Sequence, residues 1–89
     1  MRLICTRGNL QGLIHEIPKG RSMVGRDPSC DLTLDDAKVS RVHLLFDLNE
    51  TTLSCIDNGS TNGTYINGKK IAPKVLRTLS VGDALVVGS

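Results

Sequence analysis

Apolar and polar residues alternate along this chain in short runs, and no window sustains the 3.6-residue apolar repeat of an amphipathic helix. The runs are bounded by Gly, Pro, Asn and Asp, so they predict strands joined by turns. In order they cover Arg2 to Thr6, Leu13 to Ile17, Ser22 to Gly25, Leu32 to Leu34, Leu44 to Leu48, Thr52 to Ile56, Thr64 to Ile66, Lys69 to Ile71, Val75 to Leu79 and Ala84 to Val87. Gly8-Asn9 and Gly12 mark a turn or bulge, Asn49-Glu50 tips a hairpin, and Asn67-Gly68 is the two-residue signal of a type I′ hairpin. About ten short strands at this spacing predict an all-β fold, a two-sheet antiparallel β-sandwich.

The longest interruption of this pattern is Asp57 to Gly68, where every residue except Tyr65 and Ile66 is Asp, Asn, Gly, Ser or Thr. Such a run has little to bury and must be a shaped loop, its glycines free to adopt positive φ and its short side chains able to bond the main chain. Two more polar loops begin at Arg26 and span Lys38 to His43. Loops of a sandwich cluster at its ends. If these three meet at one end, they gather Arg26, Lys38, Arg41, several hydroxyls and Asn62. A phosphate dianion suits that inventory: it takes bidentate bonds from guanidinium and single bonds from hydroxyl or main-chain N–H donors.

Composition narrows the alternatives. At 89 residues the chain is one domain, and 39% hydrophobic with 22% charged residues is the balance of an ordinary globule. A formal charge of +2, with one Tyr and one Phe to stack on bases, argues against a general nucleic-acid binder. No apolar run is long enough for a membrane span or a signal peptide, so a cytoplasmic location without membrane attachment is expected. Cys5, Cys30 and Cys55 form an odd set without C-x-x-C spacing, which predicts free, partly buried thiols. No metal or cofactor is expected; His15 has no His or Cys neighbour with which to share one and reads as a surface strand residue.

Gly25-Arg26, Ser40-Arg41-Val42-His43, Asn58-Gly59-Ser60-Thr61-Asn62-Gly63-Thr64-Tyr65-Ile66-Asn67-Gly68 and Leu79-Ser80-Val81-Gly82-Asp83 resemble, in order and spacing, the forkhead-associated (FHA) domain. The resemblance runs from Met23 to near the end. It implies an 11-stranded β-sandwich that binds phosphothreonine in extended segments of partner proteins. By position, it implies that Arg26 grips the phosphate, Ser40 donates its hydroxyl, Arg41 adds charge and Thr61 reaches the phosphate or the pocket rim. Asn62 would bond the peptide main chain. His43 would brace the loops from beneath, and Gly25 and Gly63 would fit the tight backbone there. Relatives have a further strand beyond the last one seen here, so residues 1–89 are expected to be a single domain excerpted from a longer protein. A monomer is expected; an open edge near Arg2 to Thr6 would allow a strand-exchanged dimer were that strand absent.

Each role has a plainer competitor. Arg26 could pair with Asp27 or Asp31, Ser40 could cap the turn that holds Val39 and Val42, Arg41 could point into solvent, and Thr61 could stabilise its own turn. Two other function classes use the same residues. Ser40, His43 and Asp57 could form a hydrolase constellation, but Ser40 lacks a G-x-S-x-G elbow. A phosphate-independent assembly module on the same fold is the stronger alternative.

Overall fold

The computed structural model describes residues 2–4 and 14–88. Ten strands are found among them: β1 (Arg2–Ile4), β2 (Ile14–Glu16), β3 (Gly20–Gly25), β4 (Leu32–Thr33), β5 (Leu44–Leu48), β6 (Leu53–Asp57), β7 (Thr64–Ile66), β8 (Lys69–Lys70), β9 (Arg77–Leu79) and β10 (Leu85–Val87). Hydrogen bonding divides them into a five-stranded sheet ordered β4-β3-β5-β6-β9, a three-stranded sheet ordered β10-β7-β8, and the ribbon β1-β2. The turn at Gly8-Asn9 and Gly12, the expected end of the first strand at Thr6 and the Cys5 thiol lie outside the described residues.

Alternation explains why the two larger sheets face each other. In β5, Leu44 and Phe46 are fully enclosed while Asp47 between Phe46 and Leu48 is exposed, the period of two that a half-buried strand requires. Val24 of β3, Leu53 and Cys55 of β6 and Ile71 after β8 close around them, with Ile66, Leu85 and Val87 packing from the smaller sheet. Apolar side chains from both sheets thus share one core, which makes the arrangement a sandwich.

Several strand limits differ from the sequence reading for identifiable reasons. β3 begins at Gly20 rather than Ser22, because Gly20 and Arg21 pair with Leu48 and Asp47 of β5. β6 extends through Asp57, which pairs with Leu44. β9 starts only at Arg77: Lys74 takes a positive φ of 62° and donates its N–H to the Asp57 carbonyl, and Val75 and Leu76 follow outside the ladder. β3 and β4 run parallel, Val24 opposite Leu32 and Gly25 opposite Thr33, a local exception to the antiparallel plan. The Asn67-Gly68 turn is as expected, with φ of 52° and 81°, both positive as a type I′ hairpin demands.

Candidate functional site

Three loops converge where β3 and β6 end and β5 begins. The N–H of Arg26 donates to the Ser40 carbonyl at 3.0 Å and that of Asp27 to the Arg41 carbonyl at 3.1 Å, so the first two loops are joined through their main chains. Gly25 permits this approach, because a Cβ there would collide with the carbonyl of Arg41. The third loop joins through Asn58: its N–H donates to the His43 carbonyl at 2.9 Å and its amide to the Val42 carbonyl at 3.3 Å. Lys74 in turn donates to the Asn58 side-chain oxygen at 2.6 Å.

His43 is completely buried at the centre. Its Nδ1 accepts from the Ser40 N–H at 3.0 Å and its Nε2 lies 2.9 Å from the Gly63 carbonyl. A neutral ring carrying its proton on Nε2 satisfies both bonds, one to each loop. Asp57 Oδ1 stands 3.8 Å from Nε2, beyond hydrogen-bond reach, and with a neutral ring this is no ion pair.

Ser40 does not cap its own turn. Its Oγ accepts the N–H of Thr61 at 3.0 Å, so a lone pair is used within the protein while the hydroxyl hydrogen stays available to an outside acceptor. The Thr61 hydroxyl has no partner among the described residues, and its side chain is exposed; the link from Thr61 to the site runs through its main chain.

Asp57, only 2% exposed, holds the third loop in shape. Its carboxylate accepts from the Ser60 N–H at 3.0 Å, from the Ser60 hydroxyl, and from the Thr64 hydroxyl at 2.7 Å. Burial pushes this carboxyl up, but the bonds from Ser60 and Thr64 outweigh it and hold the group below the usual aspartate range. Gly59 and Gly63 supply the positive φ angles, 68° and 84°, that the loop needs.

The two arginines differ. The Arg26 guanidinium has no hydrogen-bond or ion-pair partner among the described residues; Asp31 is engaged by the Met23 N–H at 2.7 Å, and Asp27 belongs to Arg41. Arg41 Nη2 meets Asp27 Oδ2 at 3.1 Å, so it neither points freely into solvent nor stands uncommitted. The Ser29 N–H, the Ser29 hydroxyl and then Arg41 hold the Asp27 carboxyl down to about 2. Asn62 is exposed and donates its amide to the Lys38 carbonyl at 2.9 Å, which fixes the side chain across the second and third loops and leaves its oxygen open.

Gly25, Arg26, Ser40, Arg41, His43, Thr61, Asn62 and Gly63 therefore lie on one connected set of loops. Asp57 and Asn58, which hold that set together, have no binding or supporting role in the sequence reading, where Asp57 enters only as a member of the hydrolase constellation. Their place among turn glycines is visible in the sequence; the burial of Asp57 and the reach of Asn58 to the second loop are not. The hydrolase constellation fails on geometry: both ring nitrogens of His43 are occupied by main-chain groups, and the Ser40 hydroxyl faces the Thr61 N–H. Cys30, which donates to the Arg41 carbonyl at 3.3 Å, and Cys55 are free and buried, and burial pushes the Cys55 thiol up to about 11. Among the described residues no cluster of His, Cys, Asp and Glu could hold a metal, and no helix is long and apolar enough to cross a membrane.

Comparison with known proteins returns the same picture. The family model of the FHA domain matches residues 23–88. The oxoglutarate dehydrogenase inhibitor of Corynebacterium efficiens is 36% identical over 97% of the chain and 58% of its own length. The glycogen accumulation regulator GarA of Mycobacterium tuberculosis is 35% identical over 97% of the chain and 51% of its own. The chain thus spans little more than half the length of these relatives. Among solved structures, the N-terminal FHA domain of Saccharomyces cerevisiae Rad53p in complex with a phosphothreonine peptide superposes with a TM-score of 0.86 at 31% identity, covering 98% of this chain and 80% of that one. The FHA domain of an Arabidopsis thaliana protein superposes with a TM-score of 0.90 at 28% identity, covering 99% and 76%.

Proposed function

Because the chain belongs to the FHA domain family, we propose that it is a phosphothreonine-dependent peptide-binding module that recruits phosphorylated partners through the loops at one end of its sandwich. The observation that carries this reading is the pairing of an uncommitted Arg26 guanidinium with Ser40, whose main chains are hydrogen-bonded and whose hydroxyl has its acceptor role filled by Thr61. Arg26 would grip the phosphate in bidentate fashion, the Ser40 hydroxyl would donate to a second oxygen, and Thr61 would contribute at the rim. Arg41 would add charge while remaining tied to Asp27. The open oxygen of Asn62 would accept a main-chain N–H of the peptide and set its direction. Gly25, His43 and Gly63 would support these groups without touching ligand.

Hydrogen bonds to the charged phosphate contribute about 1.5–3 kcal/mol each. Offset by the cost of ordering an extended peptide, they leave roughly the 8 kcal/mol of a micromolar complex. Phosphothreonine is favoured over phosphoserine because its γ-methyl restricts χ1 and can fill a small apolar notch. The module acts by binding and not by turnover, and a cytoplasmic location belongs to the same reading. The relatives named as an inhibitor and a regulator are much longer than this chain, and the reading proposed here extends only as far as recruitment.

The test is titration by fluorescence anisotropy of a phosphothreonine-centred peptide library, beside phosphoserine and unmodified libraries. Binding of the phosphothreonine library alone is expected, with affinity reduced at least about 100-fold in Arg26→Ala, since the phosphate would be desolvated without its partner. The variant should retain a cooperative thermal transition. Equal binding of the unmodified library would instead establish the phosphate-independent module.

A further inference from the structure

The positive-φ glycines of the third loop share a feature that the phosphate site does not use. Each lies beneath the stem of a lysine. A Cβ on Gly63 would stand 2.5 Å from Lys70 Cε, and one on Gly59 would stand 3.6 Å from Lys74 Cε. Side chains of opposed residues stand on one face of a ladder, and those two positions along a strand share it. Lys70 of β8 pairs with Tyr65, so its stem falls on the side of Gly63, two residues before Tyr65, and the missing side chain at Gly63 provides the seat.

The charges delivered this way are unequal in freedom. Lys74 is anchored on the Asn58 oxygen at 2.6 Å, whereas the ammonium groups of Lys69 and Lys70 have no partner among the described residues. Neither carboxylate of the adjoining turns forms an ion pair with Lys69 or Lys70: Asp57 is buried under Ser60 and Thr64, and Asp83 accepts from the Asn67 amide at 3.0 Å and the Ser80 N–H at 2.8 Å. Lys70 is therefore a cation without an ion-pair partner among the described residues, its stem seated on Gly63, the residue after Asn62. Lys38 approaches Asn62 from the other loop through its carbonyl, and its main-chain N–H donates to the Asp36 carboxylate at 2.8 Å, which places a negative charge beside it.

Resting on the phosphothreonine reading above, we infer that the partners recruited here carry an acidic side chain flanking the phosphothreonine, on the stretch of peptide that passes Asn62, and that Lys70 reads it. A peptide laid along Asn62 brings its neighbouring residues over Gly63. An aspartate, a glutamate or a second phosphorylated residue at that point meets the Lys70 ammonium, which has no partner among the described residues. A lysine or arginine at the same point meets like charge.

The experiment uses phosphothreonine peptides that differ only in whether the flanking residues are Glu, Gln or Lys, titrated into the unmutated domain and Lys70→Gln at low and high salt. The expected result is about two- to fivefold tighter binding of the Glu peptide than the Gln peptide, the range of an exposed ion pair, with the Lys peptide weakest. The Glu-to-Gln ratio should approach one in Lys70→Gln and shrink with added salt in the unmutated domain. Lys38→Gln should move the ratio less. A unit ratio in the unmutated domain, or one unchanged in Lys70→Gln, would overturn the inference while leaving phosphothreonine recognition intact. Failure of all three phosphopeptides to bind would overturn the recognition reading itself.

Discussion

The loop end of the sandwich and the stretch from Ala72 to Gly82 reverse the usual assignment of residue types. At the loop end His43, Asp57 and Thr64 are buried, each with its polar atoms bonded inside the protein. Along 72–82, Val75 is nearly half exposed, Leu76 is 58% exposed and Val81 at the tip of a turn 95% exposed. Burying polar groups costs free energy unless every bond is replaced, so a cluster of them persists where it performs a task that apolar packing cannot. Here that task is to hold three loops in one geometry. The exposed valines and leucine stand outside the core that holds the sheets together.

Substitutions sharpen this contrast in order of expected effect. Phe46→Ala removes the largest fully buried side chain and should cost about 3–5 kcal/mol in chemical denaturation. Asp57→Ala leaves the Thr64 and Ser60 hydroxyls without their acceptor, and about 1–3 kcal/mol is expected. Because the 57–64 loop carries Thr61 and Asn62, its phosphopeptide affinity should fall further than the stability loss alone explains, measured at a temperature where the variant is folded. Gly25→Ala should behave similarly, by pushing the Arg41 carbonyl and with it Ser40 away from Arg26. Val81→Ser, by contrast, should shift stability by less than about 0.5 kcal/mol and leave binding unchanged.

Acid should break the loop end from within. The folded-state pKa of Asp57 lies below its unfolded value, so its contribution is fully present above about pH 4 and is lost as pH falls through the depressed value. Denaturation midpoints measured from pH 6 downward should decline in that window, and Asp57→Asn should show a shallower decline. An identical slope in both proteins would assign the acid sensitivity to other carboxylates.

How much of this was legible beforehand depended on whether a residue's role is local. The limits of β5 follow from its own alternation, and the Asn67-Gly68 turn from the φ angles those residues tolerate; both were readable. The parallel pairing of β4 with β3 was not, since it depends on where a two-residue strand lands after a loop. Val75 and Leu76 look like strand residues in isolation, and only the Lys74 N–H bond to Asp57 shows why the ladder waits until Arg77. Asp57 reads as an ordinary turn aspartate because carboxylates are seldom enclosed, and its partners Ser60 and Thr64 became evident only in space. Arg26 and Arg41 are chemically alike in the sequence, yet Asp27 distinguishes them in the fold.

The bond from the Thr61 N–H to the Ser40 oxygen also bears on release. In the proposed complex the Arg26 guanidinium and the Ser40 hydroxyl hydrogen would face the phosphate, so the phosphate-binding part of the site would offer donors alone. A phosphate answers all of them with lone pairs, but a bare threonine brings a hydrogen of its own and one oxygen. Once a phosphatase has acted, the same pocket that held the partner confronts it with unmatched donors, so erasure of the mark becomes eviction rather than mere loss of attraction.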